Sequence, residues 1–135
     1  MSRTPQEIFQ RYLHAGPLTR DADALAETFT EDGAFEAPFM PVGGALPRRI
    51  VGRAAIRAAM VASCRQQLKD HRKPNLQKSG HVLHTTSDPE VFIAEIDTVF
   101  DGDDEDIVVS PVQIFRTRDG RIARLRDYFA PALLS

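Results

Sequence analysis

Two polar side chains sit among apolar neighbours in the last third of this sequence, and both have chemistry to offer. Residues 121–129 read Arg-Ile-Ala-Arg-Leu-Arg-Asp-Tyr-Phe. Side chains alternate faces along a strand, so Ala123, Leu125, Asp127 and Phe129 share one face. Ile122, Arg124, Arg126 and Tyr128 share the other, which the two arginines mark as the wetter one. Asp127 is therefore a carboxylate on an apolar face. In the preceding run, Val109, Pro111, Gln113 and Phe115 fall together, with Gln113 as the polar member. Burying such groups without partners is costly. A carboxylic acid in an apolar cavity is raised in pKa and can exchange a proton near neutral pH. A neighbouring amide can hold a ligand oxygen. Two polar groups converging on an apolar concave surface are the pattern of a small-molecule site.

The elements that must position these groups follow from spacing and punctuation. Asp119-Gly120 between the two β-rich runs predicts a hairpin, since both residues tolerate positive φ. Thr4-Pro5-Gln6-Glu7 has a capping hydroxyl, a proline at the first helical position and a carboxylate three residues after the cap. The helix it starts carries Ile8 and Tyr12 on one stripe, with Phe9 and Leu13 beside them, and ends at Gly16-Pro17. A second short helix is expected over Asp21–Thr30, then a turn at Glu31-Asp32-Gly33 into a strand, Ala34–Phe39. Gly44–Val51 reads as a loop and Gly52–Leu68 as the longest helix, with Ile56, Met60 and Cys64 spaced by four. Cys64 fits that apolar stripe as a small hydrophobe. Asp70–Asn75 reads as a polar connection, Leu76–Thr85 as a strand, Ser87-Asp88-Pro89 as a turn and Val91–Phe100 as a strand. Asp101–Asp106 is an acidic hairpin loop. Helices segregated to one side of a mostly antiparallel sheet make an α+β cone.

The bulk composition excludes several classes. A chain of 135 residues fits one domain, residues 1–135, with roughly two thirds of its unfolded surface buried and no need of staples. The net charge of −2, with acids and bases interspersed, argues against a nucleic-acid partner, which would call for a basic face. The single cysteine excludes an internal disulfide and a cysteine-based zinc site. No signal core and no membrane-length apolar run are present, so no membrane partner is expected and a cytoplasmic location is the default. His14, His71, His81 and His84 lack metal-ligand spacing. The acidic loop lacks the ordered ligands and terminal glutamate of a calcium loop. No metal and no cofactor is therefore expected.

Specific segments resemble the ketosteroid-isomerase and SnoaL-like branch of the NTF2-like superfamily. They are Gln10-Arg11-Tyr12-Leu13, Phe29-Thr30-Glu31-Asp32-Gly33-Ala34, Glu36-Ala37-Pro38, Gly52-Arg53-Ala54-Ala55-Ile56-Arg57, and Val108-Val109-Ser110-Pro111 leading to Phe115-Arg116. In register they cover nearly the whole chain. The resemblance implies three N-terminal helices packed on a curved sheet that encloses an apolar pocket. It also implies three groups for steroid isomerisation: a tyrosine and a protonated aspartic acid that hold an enolate oxygen, and an aspartate base. The tyrosine falls on Tyr12. The protonated acid falls on Gln113, whose amide still donates. The base falls on Ala37, a methyl group, so the standard steroid isomerisation is not expected. Asp127 stands where the isomerases carry a small apolar residue, whereas SnoaL-type cyclases and related phenazine-biosynthesis proteins keep an acid on this last strand. The third-helix histidine of the phenazine proteins falls on Ala59, so the SnoaL-like reading fits best.

The expected function is a cofactor-independent isomerase, cyclase or dehydratase acting on a hydrophobic carbonyl compound. Asp127 would be the acid/base, with Tyr12 and Gln113 as oxygen-holding donors. Phe35, Phe39, Met60, Val109, Phe115 and Leu125 would shape the pocket. Plainer readings stand beside these. Asp127 could pair with Arg11 or bond Tyr12 alone, Tyr12 could be core, and Gln113 could satisfy backbone groups at the mouth. Glu95 and Asp97 belong to the face opposite Phe92, Ala94, Ile96 and Phe100, hence to a polar outer surface or a dimer surface. Epoxide hydrolysis by paired acids is a further alternative. A homodimer through the outer face of the sheet is expected. The rival function is a non-catalytic ligand-binding or dimerisation module of the same fold.

Overall fold

Asp119 and Gly120 take φ of 54° and 77°, the left-handed pair that a tight hairpin requires. They join β6 (Val112–Arg118) to β7 (Arg121–Tyr128). The computed structural model of the chain describes residues 3–43, 47–67 and 74–129, and the side chains of all of these except 17, 18 and 63–67. Expectations for the Cys64 side chain and for most of the 70–75 connection lie outside the described residues.

The N-terminal cap forms as its residues dictate. The Thr4 hydroxyl accepts from the Glu7 N–H at 3.2 Å and Pro5 opens α1 (Pro5–Leu13). The chain does not stop at Gly16-Pro17 but widens into a π-helical turn over His14–Leu18. A second helix, α2, spans Ala22–Glu27, capped by Asp21, whose carboxylate accepts from Ala24 N–H at 3.1 Å. Strand β1 (Phe29–Glu36) begins earlier than expected and runs through Glu31-Asp32-Gly33. A Cβ on Gly33 would lie 3.0 Å from the Thr30 carbonyl oxygen and 3.1 Å from that of Ile122. Glycine is thus what lets the strand replace the expected turn there. Part of the expected loop is strand β2 (Arg49–Val51), and α3 runs over Arg53–Gln67. Strand β3 (Gly80–Thr85) is shorter than its sequence suggests, while β4 fills Val91–Phe100. The stretch Ile107–Val109 forms β5. It keeps the β6 register against β4 across a break at Ser110-Pro111, because Thr98 opposes Val109 as Glu95 opposes Val112.

The strands form one open, curved, mixed sheet in the order β2-β1-β7-β6-β4-β3, with β5 on β4. Only β1 and β7 run parallel. Helices α1, α2 and α3 cover one face. Between the layers sit Ile8, Phe9 and Tyr12 of α1, Leu25 of α2 and Ile56 of α3, against Phe29, Phe92, Phe115, Ile122 and Leu125 of the sheet. Each buried aromatic stabilises this layer by roughly 1.5–3 kcal/mol.

One expectation about faces is corrected. Thr117 opposes Ile122 while Arg116 opposes Arg124, so Ala123 is an extra residue in β7. The bulge turns Ile122 from the wet face into the core, where it is 0% exposed. Beyond the bulge the alternation resumes, and Leu125 and Asp127 face inward as the sequence pattern requires.

Candidate active site

The helix-covered face of the sheet is layered by register. Thr85, Phe92, Phe115 and Leu125 form one row across β3, β4, β6 and β7. Leu83, Ala94, Gln113 and Asp127 form the next, toward the open end. Gln113 and Asp127 are direct cross-strand partners, so their side chains meet without help from a loop. Tyr12 reaches the same point from α1. Its ring packs edge-on against Phe115 at 5.4 Å between centroids and lies 6.4 Å from Phe9.

The three polar groups form a short chain. Gln113 Nε2 donates to Asp127 Oδ2 at 3.1 Å and to the Tyr12 hydroxyl oxygen at 3.4 Å. Gln113 is only 5% exposed. Gln113 Oε1 and Asp127 Oδ1 are both screened from solvent and lack a hydrogen-bond partner among the described residues. Among the described residues no cation pairs with Asp127, and Arg11 is exposed. Burial accordingly pushes the Asp127 carboxyl up to about 6, against the opposing pull of the Gln113 N–H. Burial also pushes the Tyr12 hydroxyl above its ordinary value, the Asp127 charge pushes it the same way, and the Gln113 amide pulls it back.

The residues expected to shape a pocket separate into two groups. Phe115 and Leu125 are fully buried, with Phe115 stacked on Phe92 at 4.7 Å, so they form the floor beneath the polar row. Phe35, opposite Leu125 on β1, and Met60 of α3 are half-buried against the same core. Phe39 is 62% exposed and packs edge-on to Tyr128 at 5.3 Å. With Val109, Ser110, Pro111, Tyr128 and Phe129 it lines a groove of about 350 Å³ at the open end of the sheet. Pro111 and Phe129 lie just outside β6 and β7, two residues along the chain from Gln113 and Asp127, and none of the three polar residues lines this groove. A hollow of about 610 Å³ between α2 and α3 is lined by Asp23, Glu27, Glu31, Arg53 and Arg57, and none of the three polar residues reaches it.

His81 and His84 stand on opposite faces of β3, as strand alternation implies: His81 lies on the inner face with its ring 4.6 Å from that of Phe9, while His84 faces outward and bonds Glu95. The nearness of Ala37 to Asp127 escaped the sequence pattern. Ala37 is 1% exposed and follows Glu36, whose register partner is Arg126. Ala37 and Asp127 thus come next on adjacent chains, and the acid missing from one is present on its neighbour. Glu95 and Asp97 lie on the outer surface, Asp97 accepting from the Ser110 hydroxyl at 2.6 Å. Among the described residues no group of three or more His, Cys, Asp or Glu side chains could hold a metal ion, and no helix is long and apolar enough to cross a membrane.

Known proteins share this architecture. Residues 9–125 match the SnoaL-like domain. The uncharacterised protein YesE of Bacillus subtilis (strain 168) is 31% identical over 136 residues, covering 95% of this chain and 82% of that protein. Among solved structures, a putative isomerase from Bacillus subtilis superposes with a TM-score of 0.72 at 24% identity, over 95% of this chain and 87% of the other. A phenazine biosynthesis-related protein, PhzB2, from Pseudomonas aeruginosa gives 0.65 at 21% identity, over 93% and 74%. With its order of helices, its open mixed sheet and a match spanning most of its length, the chain belongs to the SnoaL-like domain family, on the ketosteroid-isomerase-like NTF2 fold.

Proposed function

We propose that this protein is a cofactor-independent enzyme that moves protons on a hydrophobic carbonyl compound, by isomerisation, cyclisation or dehydration. One observation carries the reading: half-buried Asp127 has its Oδ1 screened from water, no cationic partner among the described residues and its carboxyl raised to about 6. An acid balanced near neutral pH both takes and returns a proton, the requirement for general acid–base work. In this reading Asp127 removes a proton from a carbon next to the carbonyl. The developing enolate oxygen accepts from the Tyr12 hydroxyl, a preorganised donor inside an apolar wall. Gln113 positions both through its amide. The proton held by Asp127 then goes to a second carbon in isomerisation, to the alkoxide formed when the enolate attacks a second carbonyl in cyclisation, or to a β-hydroxyl that leaves as water in dehydration. Ala37 cannot serve as base, so a standard steroid isomerisation is not part of the proposal.

The test is hydrogen–deuterium exchange at the α-carbon of a hydrophobic ketone such as 2-tetralone, followed by proton NMR in deuterated buffer. Wild-type protein should accelerate exchange over buffer, and Asp127→Asn should lose about 10²–10⁴-fold of that acceleration. Equal exchange with the two proteins would leave a non-catalytic binding or dimerisation module of the same fold as the reading. The partner in solution is proposed to be a second copy, seated on the outer sheet face. Val82 and Val112 are exposed there, beside half-buried Ile93 and Ile114. A Val112→Lys variant should sediment as a monomer where wild type sediments as a dimer.

A further inference from the structure

The hydrogen-bonding capacity left over in the polar row specifies more than a carbonyl. Gln113 has two N–H donors and one acceptor oxygen, Tyr12 has one donor, and an ionised Asp127 only accepts. The Gln113 nitrogen is committed to Asp127 Oδ2 and to the Tyr12 oxygen. Left over are two acceptors, Gln113 Oε1 and Asp127 Oδ1, both buried and unpartnered. The Tyr12 hydroxyl proton finds no acceptor among the described residues, since its oxygen only receives from Gln113. Turning the amide over would set Oε1 against Asp127 Oδ2, acceptor to acceptor, so the carboxylate fixes its orientation. A ketone oxygen can receive the Tyr12 proton but gives nothing to the two orphaned oxygens. Leaving buried acceptors bare forfeits the hydrogen bonds they would make to water. Water meets the need, so a ligand that displaces water without bringing a donor forfeits those bonds.

We infer that the site selects ligands presenting a hydroxyl, as an alcohol, phenol or enol, over isosteric ethers and simple ketones. The hydroxyl donates to Asp127 Oδ1 or Gln113 Oε1 while its oxygen accepts from Tyr12. Its apolar body would extend past the ends of β6 and β7 toward the groove of Phe39, Val109, Pro111 and Phe129, which none of the three polar residues lines. The substrate class narrows from carbonyl compounds to those with a hydroxyl or enol beside the carbonyl. This rests on the reading of Asp127, Gln113 and Tyr12 as the ligand site, and it is independent of turnover.

A matched pair of probes tests it: 2-naphthol, and 2-methoxynaphthalene, which keeps the oxygen and the ring but loses the donor. Binding is measured by fluorescence titration at pH 7.5, with the carboxyl-carbon NMR signal of Asp127 as the site reporter. Naphthol should bind at least tenfold more tightly than the ether and shift the Asp127 signal. In Asp127→Asn, and independently in Gln113→Leu, the preference should shrink to threefold or less. Equal affinity of both probes with a shifted Asp127 signal would overturn the donor selectivity and leave the site reading standing. If neither probe perturbs the Asp127 signal, both are overturned. A tenfold preference that survives in both variants would place the selectivity elsewhere and overturn the inference.

Discussion

Two carboxylates on neighbouring strands of this sheet meet opposite fates. Glu36, on the outward side of β1, is surrounded by arginines: Arg126 Nε at 2.9 Å, Arg49 Nε at 3.6 Å and Arg124 Nε at 3.8 Å. Its side chain is only 18% exposed. Asp127 follows Arg126 in sequence, points to the other face and, among the described residues, meets an amide and no cation. Both carboxylates are largely withdrawn from water. One is compensated by charge and serves as a structural anchor, while the other keeps unspent proton affinity. Burial alone therefore does not make a reactive acid; burial without a counter-charge does.

The comparison can be broken by making Asp127 resemble Glu36. Gln113→Lys would set an ammonium beside the carboxyl and draw its pKa back from about 6 by roughly 1–3 units. Ketone exchange should then fall on the order of 100-fold, with the fold kept, as read by NMR and circular dichroism. Unchanged exchange would show that the raised acid is not the working group.

A stability measurement sharpens the same contrast. The folded-state pKa of Asp127, about 6, exceeds that of an unfolded aspartate, about 3.9. Between those two values the folded chain holds more protons than the unfolded one, so this group makes stability fall as pH rises. Above the folded value the whole penalty is present. Asp127→Asn should remove it, stabilising the protein at pH 8 by on the order of 2 kcal/mol and flattening the slope between about pH 4 and 6. Urea denaturation across that range checks the sign. Glu36→Gln should act oppositely, costing about 1–2 kcal/mol at pH 8 because three guanidinium groups lose a shared, partly buried partner.

The smallest expected effect concerns the one group that restrains Asp127. Gln113→Leu removes the N–H that favours the ionised carboxylate, so the Asp127 carboxyl should titrate higher than in wild type. Carbon NMR titration would detect it, and a downward shift would mean that another donor holds the carboxylate.

Much of this was legible in the residues because it depends on local rules. The Thr4 cap, the Asp119-Gly120 turn and the period-two alternation of β6 and β7 are set within a few residues. Such rules were enough to place Gln113 and Asp127 on one face. The same rules failed at Ile122, where a bulge at Ala123 reverses the face, and at Glu31-Asp32-Gly33, where a turn signal runs as strand. In both places the deciding contact is across strands: Ile122 lies opposite Phe29 and Thr117, and Gly33 is pressed against the Ile122 carbonyl oxygen.

Which side chains are polar, the shared face of Gln113 and Asp127, the Thr4 cap and the Asp119-Gly120 turn follow from the residues alone. That Asp127 has no counter-charge among the described residues while Glu36 has three was decided by tertiary structure. Pairing depends on β1 lying parallel to β7 and β2 folding back to bring Arg49 alongside, contacts separated by some ninety and thirteen residues. Electrostatic compensation acts over a few ångströms of space and takes no account of distance along the chain. A carboxylate's partners can therefore be identified only once the strands are laid side by side.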